Sequence, residues 1–221
     1  MAANERVAVP LSRLRWVLLG FVFVLAIVAA VLYRTVGQQS VPAAVSLSDA
    51  PAATWAAGEH RAPSFRLTDQ GGAPVSLNAL RGRLVLVTFI DPLCRNYCPI
   101  EAQRLNDVVR AFPQGSKPVI VAVSVNVYGN AHSILMEDAH KWKLVPEWRW
   151  AIGRSAALSR VWNAYHVEVL TQTKTVAGVT VHTIAHTEGA YLIDAKGHQR
   201  ALFLWPYRAA AVVQTLRTLT P

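Results

Sequence analysis

Leu84-Val85-Leu86-Val87-Thr88-Phe89-Ile90-Asp91-Pro92-Leu93-Cys94-Arg95-Asn96-Tyr97-Cys98-Pro99 joins two signals of different kinds. It opens with a short, β-branched apolar run, the pattern of a strand buried on both faces, which Asp91-Pro92 brings to an end. It closes with both cysteines of the chain. Beyond them Ile100, Leu105, Val108, Val109 and Phe112 recur at helical spacing among polar residues, until Pro113-Gln114-Gly115 stops the pattern. The stretch therefore reads as a central strand, a cysteine loop and an amphipathic helix. That helix is expected to start at Pro99, at the first helical position, where a missing N–H is tolerated.

Downstream the alternation repeats. Val119 to Val127 has the same buried-strand character, Ser133 to Lys143 reads as helix, Trp148 to Ile152 as strand, and Ser155 can cap a helix running to about Tyr165. Strands alternating with helices of this length imply an α/β fold with a mainly parallel sheet and helices on both faces. Val167 to His182 is rich in Thr and Val around Ala177-Gly178 and reads as an inserted β-hairpin. Strands near Ala190 to Ile193 and Ala201 to Trp205 flank the turn Asp194-Ala195-Lys196-Gly197, and a last helix runs from about Tyr207 to Leu219. Upstream, Phe65 to Asp69 and Ala73 to Leu77 flank Gln70-Gly71-Gly72, the signal of an added N-terminal hairpin. Trp148, Trp150, Trp162 and Trp205 fall in or beside these elements and are expected to be packing residues.

Trp16 to Tyr33 is 18 residues without a charge, long enough for one transmembrane helix. A signal peptide cleaved after Ala30 competes with this reading, but the apolar run continues to Tyr33 before meeting Arg34. Arg6, Arg13 and Arg15 precede the span, so the N-terminus is expected in the cytoplasm and the bulk of the chain in the periplasm or otherwise outside the cytoplasm, anchored to the cell's inner or plasma membrane. The organisation that follows is residues 1–15 cytoplasmic, 16–33 membrane anchor, 34–61 an Ala-, Ser-, Pro- and Gln-rich flexible tether, and 62–221 a single folded domain. The formal charge of +9 falls to +6 beyond Arg34, where 18 basic residues face 12 acidic ones. They are scattered rather than striped with aromatics, so nucleic acid is not an expected partner. There is also no glycine-rich phosphate loop, no serine nucleophile elbow and no His-Glu-x-x-His sequence.

The chemistry is expected at Cys94 and Cys98. Both sit at a helix N-terminus, where free backbone N–H groups and the helix dipole favour thiolate, the form that binds metal or attacks a disulfide. Four positions apart, the two sulfurs can chelate one ion or close a small disulfide, and spacing alone does not choose. Two thiolates leave a single soft ion short of ligands. His186 is the candidate third donor, because it leads into the strand expected beside the cysteine-bearing one, although a histidine without a motif is more often a surface residue. His182 is an alternate four residues upstream. His60, His132, His140, His166 and His198 have no such support.

From Phe65 to Trp205 the chain resembles the SCO/SenC family of thioredoxin-fold copper proteins. Phe65 to Asp69, Val75-Ser76-Leu77 and Leu80-Arg81-Gly82 are similar to that family's opening hairpin. Cys94 to Pro99 matches its C-x-x-x-C-P, and His186 stands eight residues before Asp194 as the family histidine stands before Leu-Ile-Asp. The resemblance implies a thioredoxin-like fold with Cys94, Cys98 and His186 as ligands to Cu(I) or Cu(II). It also implies delivery of copper to the dinuclear copper site of a cytochrome c oxidase subunit. The alternative is a thiol-disulfide oxidoreductase that reduces partner cysteines through Cys94 and Cys98, with a peroxidase of the peroxiredoxin kind as a distant third. Two departures stand out. Ser124 to Asn130 replaces an Asp-Pro pair, which removes an acidic neighbour of the site, and Arg95 places a cation near the thiols.

Overall fold

The computed structural model describes residues 21–31 and 46–219. Residues 21–31 are helical with exposed apolar side chains. No helix among the described residues is long and apolar enough to cross a membrane, and residues 16–20 and 32–33 of the expected span lie outside them. The N-terminal residues 1–15, expected in the cytoplasm, and residues 34–45 of the expected tether lie outside them as well.

The folded unit begins at Leu47. In chain order it contains β1 (Ala53–Thr54), β2 (Arg66–Thr68), β3 (Pro74–Ser76), β4 (Val85–Ile90), α1 (Tyr97–Arg110), β5 (Val119–Ser124), α2 (His132–Lys141) and β6 (Trp148–Ala151). Then come α3 (Ser155–Ala164), β7 (Val169–Val176), β8 (Val179–His186), β9 (Gly189–Ile193), β10 (Gln199–Leu204) and α4 (Ala209–Arg217).

Six strands form one sheet in the order β1-β10-β9-β4-β5-β6, while β2 with β3 and β7 with β8 make separate hairpins. Every residue of β4 is buried, and the reason is visible in its alternation. Leu86 and Ile90 join one core with Leu105 and Val109 of α1, Val212 and Leu216 of α4, and Trp142, Trp148 and Trp150. Val85, Val87 and Phe89 join a second core on the opposite face, with Leu158 and Val161 of α3 and with Leu67 and Val75 of the β2–β3 hairpin. A strand covered on both faces has no polar side to show, hence its continuous apolar run.

The sheet is less parallel than the strand–helix alternation suggests. β4–β5 and β5–β6 are parallel, but β9 runs antiparallel to β4, β10 to β9 and β1 to β10. A tight turn joins β9 to β10, and such a turn permits only antiparallel neighbours. In it Asp194 Oδ1 accepts from the N–H groups of Lys196 (3.0 Å) and His198 (2.9 Å).

Two boundaries also move. α1 starts at Tyr97, not Pro99, with Asn96 as its N-cap; Pro99 is accommodated because every N–H of a first turn lacks an intrahelical partner. Residues 48–62, read as tether up to 61, lie along the outer edge of β10. Ala52 N–H donates to Leu202 O (2.7 Å), Trp55 N–H to Arg200 O (3.0 Å) and Gln199 N–H to His60 O (2.8 Å). The edge of β10 offers unpaired backbone groups, and this segment satisfies them without any apolar period of its own.

Candidate metal centre

β4 ends and β9 begins at the same end of the sheet because the two strands are antiparallel neighbours, with Thr88 opposite Ala190. The cysteine loop that follows β4 and the histidine that precedes β9 therefore meet there. The β7–β8 hairpin completes the arrangement, with the turn at Ala177-Gly178 where its sequence places it. β8 runs on to His186 rather than stopping at His182, so the insertion itself carries the histidine to the site.

Both thiols are free. Cys98, in the first turn of α1, is buried, and Cys94 is half-buried. The Cys98 N–H donates to Cys94 Sγ at 3.3 Å, and Cys94 Sγ lies 2.9 Å from Asn96 Oδ1. Cys94 is held down to about 6, chiefly by a hydrogen bond from the Cys98 thiol, with the N–H groups of Cys98, Asn96 and Tyr97 adding to it against the opposing effect of burial. Cys98 is pushed far up in turn, because it holds the proton that the pair shares and is itself buried beside the Cys94 charge. The loop thus presents one thiolate and one protected thiol.

His186 is buried, and its Nδ1 lies 3.1 Å from Thr187 O. A carbonyl can only accept, so Nδ1 carries the proton and Nε2 keeps its lone pair. Burial lowers the imidazole below its usual range, which keeps it neutral and available to a metal. Cys98 Sγ, a His186 ring nitrogen and a Glu188 carboxylate oxygen lie within 4.8 Å of one another. Cys94, Cys98 and His186 do not form such a group by the same measure. Cys94 instead lines, with His186, Glu188 and Asp91, a cavity of about 500 Å³ that opens beside the cluster.

Glu188 is the site residue that sequence reading missed. Its signal was its spacing: two positions after His186 in nearly extended chain, it falls on the same side. Burial, with the Cys94 charge adding to it, raises its carboxyl to about 7.

The departures around the cysteines acquire physical roles. Asn126 Nδ2 donates to Asp91 Oδ1 at 2.9 Å, so the amide orients a carboxylate that already accepts from the Leu93 N–H (2.8 Å). Arg95 does not serve the thiols. Its guanidinium pairs with buried Asp138 of α2 at 3.3 Å and donates to Pro92 O at 2.8 Å, which ties the cysteine loop to α2. His182 lines the cavity but is stacked on Tyr128 at 4.0 Å with 9° between the rings, and its Nδ1 lies 3.0 Å from Thr173 Oγ1. It joins the hairpin to the loop after β5 and stands apart from the cluster that includes His186. Beneath the site, Glu101 of α1 is fully buried and accepts from the hydroxyls of Thr88 (2.9 Å) and Tyr207 (3.1 Å). Burial raises it to about 8 in spite of both bonds.

With this geometry established, comparison with known proteins places the chain. The family model described as SCO1/SenC matches residues 54–220. The chain belongs to the SCO1/SenC family. Solved structures with the same fold include Bradyrhizobium japonicum ScoI with copper bound, at 22% identity and a TM-score of 0.63, covering 72% of this chain and 99% of that one. Yeast Sco1 with copper bound is similar at 17% identity and a TM-score of 0.63, covering 72% and 87%. The thioredoxin domain of a thiol-disulfide oxidoreductase from Bacteroides vulgatus shares the fold at 21% identity and a TM-score of 0.53, covering 76% and 99%, which makes this SCO1/SenC chain thioredoxin-like. No curated protein matches the chain by sequence.

Proposed function

We propose that this SCO1/SenC protein is a copper carrier that holds one ion through Cys94, Cys98 and His186 and passes it on by ligand exchange. One observation carries the reading: two free cysteine sulfurs, Cys94 and Cys98, and the buried imidazole of His186 line or adjoin one cavity. The donor set fits. Thiolate sulfur suits Cu(I), and an imidazole nitrogen with its lone pair free helps the same site accept Cu(II). The copper-bound relatives support the assignment of the metal.

The finer reading is delivery to the dinuclear copper site of a cytochrome c oxidase subunit, from a domain anchored by residues 16–33 and lying outside the cytoplasm. A thiol-disulfide oxidoreductase would draw on the same Cys94 thiolate, but it leaves the buried His186 without a task.

Metal analysis of the purified full chain tests the carrier. One copper per protein is expected, with uptake lost in Cys94→Ala, Cys98→Ala and His186→Ala alike. His186→Ala that binds copper as the unmodified chain does would refute this ligand set. Turnover on a disulfide substrate that survives His186→Ala would favour the oxidoreductase.

A further inference from the structure

Among the groups around the cavity, one carboxylate has no protein partner to account for it. Glu188 is largely buried, with a fifth of its side chain exposed. Among the described residues no N–H or O–H donates to its carboxylate, and its contact with His186 Nε2 is 3.9 Å long, beyond hydrogen-bond distance. Asp91, the other carboxylate lining the cavity, is already held through Oδ1 by Leu93 and Asn126.

The pairing of Glu188 with His186 is unusual. Because the His186 proton sits on Nδ1, a lone pair on Nε2 faces a carboxylate oxygen. With the carboxyl ionised, two acceptors meet across a gap beside the Cys98 sulfur, and a cation standing between them would satisfy both.

The backbone fixes this meeting in place. Thr187 N–H donates to Glu168 O (3.0 Å) and Trp205 N–H to Glu188 O (3.1 Å), and the Thr88 hydroxyl, which Gly189 O shares with Glu101, lies 3.1 Å from Gly189 O. A side chain at Gly189 would bring its Cβ to 2.6 Å from Phe203 O, so the chain after Glu188 lies hard against β10. Glu188 therefore stands between two anchored neighbours.

The distances suit one ion. With bonds of about 2.0–2.3 Å, two donors on the same metal lie at most about 4.5 Å apart. The Cys98, His186 and Glu188 donor atoms, all within 4.8 Å of one another, can converge on one ion with side-chain movements of about 1 Å.

We infer that Glu188 is a fourth donor of the site, which ligates copper in the divalent form and stays off it in the monovalent form. This rests on the carrier reading and deepens it. An anionic oxygen is a hard donor that suits Cu(II) in a mixed N/O/S set, whereas Cu(I) is satisfied by soft sulfur with one imidazole. Glu188 is in this way the residue that lets the site tell the two oxidation states apart.

The test uses the full chain and its Glu188→Gln variant, each loaded separately with Cu(II) and with Cu(I). Electron paramagnetic resonance and the visible thiolate-to-copper absorption report the Cu(II) ligand set, and competition with chelators reports both affinities. Glu188→Gln is expected to shift both Cu(II) spectra and to weaken Cu(II) by at least about tenfold, while Cu(I) stays within about twofold. Where the glutamine variant does not fold by circular dichroism, Glu188→Asp, which shortens the reach, is expected to give the same selective loss. Cu(II) spectra and affinity unchanged in the folded variant would overturn the inference while leaving the carrier reading intact. An unmodified chain that takes up no copper would overturn both.

Discussion

At the scale of single residues, the site rests on an unequal pair of thiols. The hydrogen bond from Cys98 is the largest cause of the low value at Cys94, and the reverse effect protects Cys98. Alkylation of the copper-free chain is therefore expected to modify Cys94 alone, with a rate that rises through a midpoint at about pH 6. Cys98→Ala is expected to move that midpoint upward, which mass spectrometry of the labelled peptides over a pH series checks. Glu101 gives a second prediction. The folded state holds its proton more tightly than the unfolded chain does, so its contribution is fully present below the ordinary value of 4.5 and is lost as pH rises towards about 8. Glu101→Gln keeps an oxygen to accept from Thr88 and Tyr207 but cannot ionise. It is expected to be more stable than the unmodified chain at pH 8.5, by an amount of the order of a few kcal/mol that shrinks towards pH 5. Denaturant melts at the two pH values decide, and a gap that does not change with pH would refute the assignment.

At the scale of elements, the junction between β8 and β9 carries the most function in the fewest residues. Gly189 is required there because the backbone of β10 occupies the space of any side chain. Gly189→Ala is expected to cost about 1–3 kcal/mol and to push β9 from β10, displacing His186 and Glu188 together. A denaturation midpoint and copper stoichiometry both equal to those of the unmodified chain would contradict this. The elements themselves were largely legible beforehand, for physical reasons. β4 and β5 are buried on both faces and so read as unbroken apolar runs, and the stripe from Leu105 to Phe112 marks α1 at its periodic spacing. What escaped was decided by backbone pairing rather than by side chains. β1 is two residues long and exists only because β10 offers it an edge, and the early start of α1 depends on the Asn96 cap rather than on Pro99. For the site, the motif named Cys94, Cys98 and His186. Glu188 was hidden because its significance comes from what it lacks, a hydrogen-bond donor, which only three dimensions reveal.

At the scale of the whole molecule, one sheet gathers chemistry from far apart in the chain. Cys98 and His186 are 88 positions apart, yet they meet because β4 and β9 are neighbours running in opposite directions. A metal ion that bridges them acts as a fastener across everything in between: α1, β5, α2, β6, α3 and the inserted hairpin. Stretched by its two ends in a force-spectroscopy experiment, the copper-free domain should release its full length. The loaded domain should keep those residues enclosed until the ion lets go, and a fully extended chain of that size measures about 300 Å. The antiparallel seam beside the cysteine loop would thus make an ion held as proposed a mechanical clasp, and its opening should be readable as a missing length that returns when the ion is removed.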